Sequence, residues 1–266
     1  MPEQEAHIDL TEILSAFSPV SLAEMDAVRL MNRIDTKYVT SEATLYRLLE
    51  DAAAAGYRVL ETEGERIAPY DSIYFDTPLL KMFYDHRNKR LVRQKVRTRC
   101  YRNSGATFLE IKRKSNKGRT KKKRTVLPES EWADFRRDAA AAAYLAAHSA
   151  YTAAELVPTL ETRFRRITLV NPEMTERMTI DSCLCFKNIR TGKEASLRDA
   201  VIIERKQDGR AASPMKGLLL RRRIHPLRVS KYCLAVTLTD PSVIPGRFKL
   251  KVRAIEKLIN HQIPVL

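Results

Sequence analysis

Charged and uncharged side chains alternate along several extended segments of the chain, and this alternation constrains the fold more than any other feature of the sequence. In residues 91–102, every second position carries a cation, namely Arg93, Lys95, Arg97 and Arg99. Successive side chains of a β-strand point to opposite faces of a sheet, so these four cations are predicted to share one face. The segment therefore predicts a strand with one basic and one largely uncharged face.

The same alternation recurs in several later segments. Polar residues occupy the corresponding positions there, namely Glu110, Lys112, Lys114, Lys122, Arg124, Arg166, Arg177, Thr179, Asp181, Glu204 and Lys206. Residues 103–105 and 115–118 are rich in Asn, Ser and Gly, which favour tight turns between paired strands. The central part of the chain is therefore predicted to be an antiparallel meander.

The remaining patterns complete a mixed α and β fold. Strands are predicted at 34–40, 72–75, 91–102, 106–114, 120–127, 160–170, 177–186 and 200–206, and helices within 8–28 and at 41–55, 129–147, 231–238 and 251–259. Seven or eight strands with helical insertions favour a closed antiparallel barrel, and a strongly bent sandwich would give a similar pattern. We expect one domain, with a helical extension (1–28), a barrel (29–240) that contains a helical insertion (about 129–156), and a C-terminal helix (241–266).

The composition indicates an anionic partner. The 266 residues include 48 Lys and Arg against 32 Asp and Glu, a net charge of +16, which leaves nucleic acid, an anionic membrane and phosphate polymers open. The four cysteines lack metal-ligand or redox spacing, which fits a reducing compartment. No segment has the pattern of a signal peptide or a transmembrane helix, so we expect a cytoplasmic protein.

Carboxylates among the cations suggest a chemistry. If the apolar faces pack against helices, the charged faces look inward and require an anion; solvated outer faces of an open sheet are the alternative. Glu110, Asp181 and Glu204 could hold a divalent metal beside the cations, which is what phosphoryl transfer requires. Ordinary cross-strand ion pairs are the other interpretation of these three carboxylates.

Nine short motifs, which lie in one order within residues 29–240, resemble the VTC domain. They are RIDTKY (33–38), YFDTP (74–78) with YDH (84–86), KVRTR (95–99), FLEIK (108–112), KKR (122–124), FRR (164–166), TID (179–181), IERK (203–206) and SKY (230–232). The VTC domain is the polyphosphate polymerase module of the vacuolar transporter chaperone complex and its bacterial relatives, in the triphosphate tunnel metalloenzyme superfamily. The resemblance implies a closed eight-stranded antiparallel tunnel with flanking helices.

The resemblance also implies roles for individual residues. The phosphate-binding cations would be Lys37, Arg97, Arg99, Lys112, Lys122, Arg124, Arg166, Arg177, Lys206 and Lys231, of which Arg97, Arg99, Lys112, Arg166 and Lys231 would be catalytic. Glu204 and Glu110 would bind the metal, Mn²⁺ or Mg²⁺. Hydrolases and cyclases of the superfamily begin with an ExExK strand, whereas this chain has Arg33, Asp35 and Lys37 at those positions.

The function implied is transfer of the γ-phosphoryl group of ATP onto a growing inorganic polyphosphate chain, with release of ADP. The expected partners are ATP and inorganic polyphosphate or pyrophosphate, with no nucleic acid; a membrane partner protein and the oligomeric state stay open. A tunnel triphosphatase and a non-catalytic module that binds polyphosphate or inositol phosphates are the alternatives. His7, His86, His148, His225 and His261 are expected to be structural or surface groups, and Tyr74, Phe75, Tyr84 and Tyr101 to be barrel-core aromatics.

Overall fold

A computed structural model describes residues 9–27, 33–209 and 212–266. His7 lies outside this part of the chain, as does the side chain of Arg33. The chain divides into two compact units. Unit 1 comprises Met1–Ile67, Arg166–Ser182 and Asp199–Arg228, and unit 2 comprises Ala68–Arg165, Cys183–Arg198 and Val229–Leu266. The single domain expected from the sequence stays a prediction.

Strands and helices occupy most of the described residues. The strands are β1 (Ser18–Val20), β2 (Arg33–Ser41), β3 (Arg58–Leu60), β4 (Ala68–Asp76), β5 (Arg93–Tyr101), β6 (Thr107–Lys114), β7 (Thr120–Leu127), β8 (Val157–Val170), β9 (Glu176–Asn188), β10 (Glu194–Ser196) and β11 (Ala200–Asp208). The helices are α1 (Leu10–Ser15), α2 (Leu22–Ala27), α3 (Glu42–Ala54), α4 (Lys81–Arg87), α5 (Ala139–His148), α6 (Pro214–Arg221), α7 (Lys231–Thr239) and α8 (Arg247–Ile259). Three 3₁₀ turns lie at Glu129–Glu131, Phe135–Arg137 and Ala153–Glu155.

The sheet confirms the predicted α+β class and the antiparallel meander. Eight strands follow the hydrogen-bonded order β2-β11-β9-β8-β4-β5-β6-β7, and the pairs β2–β11, β11–β9, β4–β5, β5–β6 and β6–β7 are antiparallel. The order ends on β2 and β7, and the pairing within the described residues does not join these two strands. These eight strands are therefore the predicted ones, but hydrogen bonds between the described residues do not close them into a barrel.

The predicted elements differ from the observed ones where a signal was short or aperiodic. The strand predicted at 120–127 is confirmed as β7, whereas the Ala-rich helix begins at Ala139 and not at residue 129. Asp138 caps this helix by accepting a hydrogen bond from the backbone N–H of Ala141 at 2.7 Å. Short elements that had no clear pattern were missed, namely β1, β3, β10, α4 and α6.

Unit 1 has an apolar core between its strands and helices α3 and α6. The core includes Leu45 and Leu49 of α3, Ile180 of β9, Ile203 of β11 and Leu218 of α6, all buried. Helix α3 begins after the N-cap Ser41 and is followed by Gly56 with a φ of +75°, which confirms the helix predicted at 41–55. Ile180 and Ile203 lie on the strand faces opposite to the polar positions.

Unit 2 has a second apolar core on one face of β4, β5 and β6. Phe75, Val96 and Ile111 of these strands pack with Phe135 and with Leu145 of α5. The packing confirms that the uncharged face of β5 turns toward helices. Within the described residues, no helix combines the length and the apolar character that crossing a lipid bilayer requires.

A buried carboxylate joins three elements of unit 2. Asp76, at the end of β4, accepts hydrogen bonds from the backbone N–H groups of Met82 and Phe83 at 2.8 and 2.9 Å and from the Tyr232 hydroxyl at 2.5 Å. Burial raises the pKa of Asp76, and the hydrogen bonds oppose that shift. The carboxylate thus holds the first turn of α4 and the Tyr232 side chain of α7 against β4.

Replacing this carboxylate should destabilise the protein. We expect Asp76→Ala to lower the free energy of unfolding by about 3 kcal/mol, because several buried donors lose their acceptor. Urea unfolding measures the change. Asp85→Ala, which removes a surface ion pair with Lys81 on the same helix, is the control and should cost less than about 1 kcal/mol. Equal losses in the two variants would contradict this account.

Candidate functional site

The cations of β5 lie on the strand face opposite the apolar core, together with polar residues of β4 and β6. The antiparallel register places Arg97 opposite Tyr74 of β4 and Glu110 of β6, and places Arg99 opposite Ser72. Tyr74 is buried, as expected of a barrel-core aromatic, and its hydroxyl accepts a hydrogen bond from Arg97 Nη1 at 3.1 Å. The parity of β4, in which Tyr74 alternates with buried apolar residues, would have predicted this orientation.

An ion cluster around one buried carboxylate forms the centre of this face. Arg97 Nε and Nη2 donate to Glu110 Oε2 at 2.8 and 2.6 Å, and the Lys122 ammonium of β7 contacts Glu110 Oε1. The Glu110 side chain is only 3% exposed. Burial alone would raise the pKa of Glu110, but the charges of Arg97, Arg99 and Lys122 hold it far below its usual value. Glu110 is therefore a permanent carboxylate that fixes two cations.

Aromatic rings support the neighbouring cations. The Arg99 guanidinium lies 5.2 Å from the Tyr70 ring centroid and 5.8 Å from that of Phe164, and Lys231 Nζ lies 4.3 Å from the Phe164 centroid. Arg124 stacks similarly over Phe108, at 4.8 Å. A ring stabilises a nearby cation and limits the positions that its side chain can take. The alternation of charges in the sequence did not indicate these aromatic supports.

A second polar face lies in unit 1, where β2, β11 and β9 pair. Lys37 is opposite Glu204, and Glu204 is opposite Thr179. Glu204 Oε2 contacts Lys37 Nζ at 2.6 Å, while Glu204 Oε1 contacts Lys206 Nζ at 3.0 Å. Lys206 also donates to the Thr179 hydroxyl at 3.2 Å. One carboxylate thus bridges two ammonium groups that are 167 and 2 residues away from it in sequence.

Burial changes the proton affinity of Lys206, whose side chain is 12% exposed. Desolvation lowers its pKa to about 8; Glu204 opposes the shift, and the positive charge of Arg166 adds to it. Arg166 itself donates from Nε and Nη2 to the two oxygens of Asp181 at 2.6 and 2.8 Å. Carboxylates of this face thus contact Lys37, Lys206 and Arg166 directly.

The predicted site residues thus fall into two groups. In unit 2, five of them lie on one sheet face, namely Arg97, Arg99, Glu110, Lys122 and Arg124. Lys112 is opposite Lys122 in the register, and Lys231 is at the start of α7. Unit 1 contains Lys37, Arg166, Arg177, Glu204 and Lys206. Arg177 is opposite Lys206 in the register of β9 and β11. His148 stacks on Tyr144, at 4.3 Å between ring centroids, in the helical insertion, consistent with a structural role.

The carboxylates form ion pairs, as the alternative interpretation of the sequence expected. Glu110, Asp181 and Glu204 each contact Lys or Arg directly. In the part of the chain that the structure describes, no group of three His, Cys, Asp or Glu side chains converges in a way that could hold a metal ion. Glu204, with two oxygens on a 17% exposed side chain, could supply one ligand to an ion that a phosphate chain also coordinates.

Comparisons with known proteins identify a family. The VTC domain family model matches residues 32–239. No curated protein matches the sequence. Among solved structures, candidate adenylate cyclases from Vibrio parahaemolyticus and Bacillus halodurans have TM-scores of 0.43 and 0.46 and identities of 10% and 13%; they cover 74% and 75% of this chain and 94% and 96% of their own.

A third similar structure is a candidate adenylyl cyclase from Hippeastrum with a dominant triphosphatase activity. Its TM-score is 0.44 and its identity 14%, over 76% of this chain and 94% of its own. With TM-scores below 0.5, these three similarities do not bear on the chemistry of the site.

The Glu110 cluster should contribute strongly to stability. We expect Glu110→Gln to lower the free energy of unfolding by about 3–5 kcal/mol, because it leaves the buried Arg97 guanidinium without its counter-ion. Glu161→Gln is the matched control, since Glu161 pairs with an exposed Arg163 and should cost less than about 1 kcal/mol. Chemical unfolding of both variants measures the difference, and a loss below about 1 kcal/mol in Glu110→Gln would contradict the assignment.

Proposed function

The chain belongs to the VTC domain family, and from this membership and the two cationic faces we propose that it is a metal-dependent polyphosphate polymerase. It transfers the γ-phosphoryl group of ATP onto a growing inorganic polyphosphate chain and releases ADP. ATP and inorganic polyphosphate or pyrophosphate are its partners in this proposal, and the cytoplasm is its location.

The observation that carries the proposal is the balance of charges on the two faces. Each carboxylate implicated by the sequence already contacts a cation, whereas Arg99, Arg124 and Lys231 stack on aromatic rings. A hydrolase that activates water needs a metal held mainly by the protein. Several cations held in place by carboxylates and rings instead suit an anionic chain that must be neutralised along its length. This balance favours a phosphate over water as the acceptor.

The reaction needs no covalent enzyme intermediate. An oxygen of the terminal acceptor phosphate attacks the γ-phosphorus in line, the new P–O bond forms, and the bond to the β-phosphate oxygen breaks to release ADP. We propose that Arg97 and Arg99, with Lys112, Arg166 and Lys231, bind the reacting phosphates and stabilise the charge of the transition state. Glu110 and Tyr74 hold Arg97 in place, so its guanidinium needs little reorganisation during the reaction.

The remaining proposed cations bind the phosphates away from the transferred group. They are Lys37, Lys122, Arg124, Arg177 and Lys206. Phosphate near Lys206 favours its protonated form and so opposes the lowering of its pKa by burial. Glu204 would contact Mn²⁺ or Mg²⁺, and Glu110 would act mainly as the counter-ion of Arg97 and Lys122. The metal, when bound with the phosphates, supplies Lewis-acid stabilisation of their negative charge.

Product analysis tests the proposed activity. Purified protein incubated with ATP and Mn²⁺ should give a ladder of polyphosphate on a stained gel, with ADP released in step with the phosphate incorporated. Free phosphate without polymer would instead indicate a triphosphatase. Binding of polyphosphate without any turnover would indicate a non-catalytic module, and either result would reject the polymerase.

Glu204 should separate catalysis from phosphate binding. We expect Glu204→Gln to reduce turnover at least about 100-fold, because one metal ligand is lost, while tripolyphosphate binding without metal is unchanged or tighter, since a negative charge is removed. Glu194→Gln, at an exposed ion pair with Lys187, is the control and should keep full activity. Unchanged turnover in Glu204→Gln would reject the metal assignment.

Metal binding should depend on the phosphate chain. Because few protein ligands converge in the described residues, we expect Mn²⁺ to bind weakly to the protein alone and much more tightly once tripolyphosphate is added. Electron paramagnetic resonance of free Mn²⁺ measures both states. Tight stoichiometric binding of Mn²⁺ without any phosphate would show that the protein itself holds the metal.

A further inference from the structure

A second group of cations lies in unit 2 where β5 begins, beside α4 and α8. We call Arg87, Arg93, Arg247 and Lys251 the α4–α8 cluster. The positive charges of Arg93, Arg247 and Lys251 all act on the neighbouring His86 ring, and Arg93 and Arg247 act on each other. Arg87 lies against the start of α8, where a Cβ atom on Gly246 would be 2.8 Å from Arg87 Nε. The four side chains therefore converge on one place in the fold.

The three arginines of this cluster interact with neutral groups. In the described part of the chain, Arg87 Nη1 donates to Asn88 Oδ1 at 2.8 Å, Arg93 Nη1 donates to the backbone carbonyl of Arg90 at 2.6 Å, and Arg247 Nη2 donates to that of His86. Arg247 also lies over the Phe248 ring, with its guanidinium carbon 5.3 Å from the centroid. Their charges thus remain uncompensated, unlike that of Arg97.

Nearby carboxylates are engaged elsewhere. Asp85 of α4 pairs with Lys81 at 3.0 Å, and Glu256 of α8 accepts a hydrogen bond from the backbone N–H of Ile263 at 3.2 Å. Like charges held together without a counter-ion repel each other. In the part of the chain that the structure describes, none of the three arginines forms an ion pair with a carboxylate, whereas Arg97 pairs with Glu110.

Buried polar atoms in the same place also lack partners. Among the described residues, Arg87 Nε, Arg247 Nε and His86 Nδ1 are shielded from solvent and have no hydrogen-bond partner. An unsatisfied buried polar group costs about 1–3 kcal/mol, and such groups are rare in native proteins. Burial and the positive charges of Lys95, Arg93, Arg247 and Lys251 lower the pKa of His86 to about 2, so the ring is neutral. Uncompensated charge and unsatisfied N–H groups together describe a site that is completed by an anion.

The position of the cluster indicates which anion. Arg93 is on the same face of β5 as Arg97, about 13 Å along the strand, and Lys95 lies between them with its ammonium 2.8 Å from the Ser230 hydroxyl. A row of cations therefore leads from the proposed reacting phosphates to the cluster. A single triphosphate bound at Arg97 and Arg99 needs only part of this row, whereas a longer phosphate chain could follow it.

We propose that the α4–α8 cluster is a second anion site, which binds a distal segment of the inorganic polyphosphate chain. The inference rests on the proposed function for the identity of its ligand. The site gives the enzyme a preference for long chains over short ones, because only a long chain reaches both the reacting position and the cluster. A long chain that is bound at Arg97 and Arg99 has a high effective concentration near the cluster. The two sets of contacts therefore bind that chain more tightly than either set alone.

Binding of long and short chains tests the proposal. The variant is Arg93→Gln/Arg247→Gln, and the control is Lys249→Gln/Arg253→Gln, which removes two exposed charges from α8. Competition binding of long-chain polyphosphate and of tripolyphosphate is measured at two salt concentrations. We expect the variant to lose about tenfold in affinity for the long chain and to show a weaker salt dependence, with unchanged affinity for tripolyphosphate. The control should change neither affinity by more than about twofold.

Several outcomes would overturn the proposal. Equal losses in variant and control would indicate general electrostatic attraction, and equal losses for both ligands would assign the cluster to the short-substrate site. Single-stranded RNA that competes as well as polyphosphate at equal charge would reject the stated ligand. If the double variant does not fold, Arg93→Gln alone should show a smaller loss for the long chain only. These measurements need no turnover, so a failed polymerase assay leaves their result interpretable.

Discussion

The contact of the buried Glu110 carboxylate with Arg97 and Lys122 is the interaction on which the cationic face of unit 2 depends. Partial burial disfavours the charge of the Arg97 guanidinium, and the Glu110 carboxylate offsets that cost. The same carboxylate fixes where the guanidinium points, through two hydrogen bonds. Cations that are already held in place can bind a phosphate chain without first being ordered. The contacts that hold them also stabilise the fold.

Three kinds of support hold the cations, and each leaves a different amount of charge for a ligand. Carboxylates neutralise most of the charge at Arg97 and Arg166. Aromatic rings contact Arg99 and Lys231. The three arginines of the α4–α8 cluster donate to neutral carbonyl and amide oxygens in the described part of the chain. The difference between Arg97, which pairs with Glu110, and Arg93, which donates to a carbonyl, is the basis for assigning a reacting position and a distal binding position to β5.

The positions and faces of the main strands could be predicted because the alternation of side chains follows directly from strand geometry. Parity predicted that Arg97 and Glu110 would lie on polar faces. Tyr74 is buried as expected, and its contact with Arg97 follows from its alternation with Ile73 and Phe75 in β4. The start of α5 was missed because a run of alanines has no periodicity, and only the Asp138 cap marks it. The short β1 and α4 carried too little pattern to be found.

The sequence by itself determined the class of the fold, the basic faces of its strands and the family to which the chain belongs, because these depend on local periodicity and on motif order. Only the tertiary structure decided which charges are neutralised. The partner of Lys37 is 167 residues away, and no local pattern distinguishes a carboxylate that will pair with one ammonium from one that will pair with two. The convergence of Arg93 with Arg247 was likewise invisible, because the packing of helices against a strand, and not spacing along the chain, brings these side chains together.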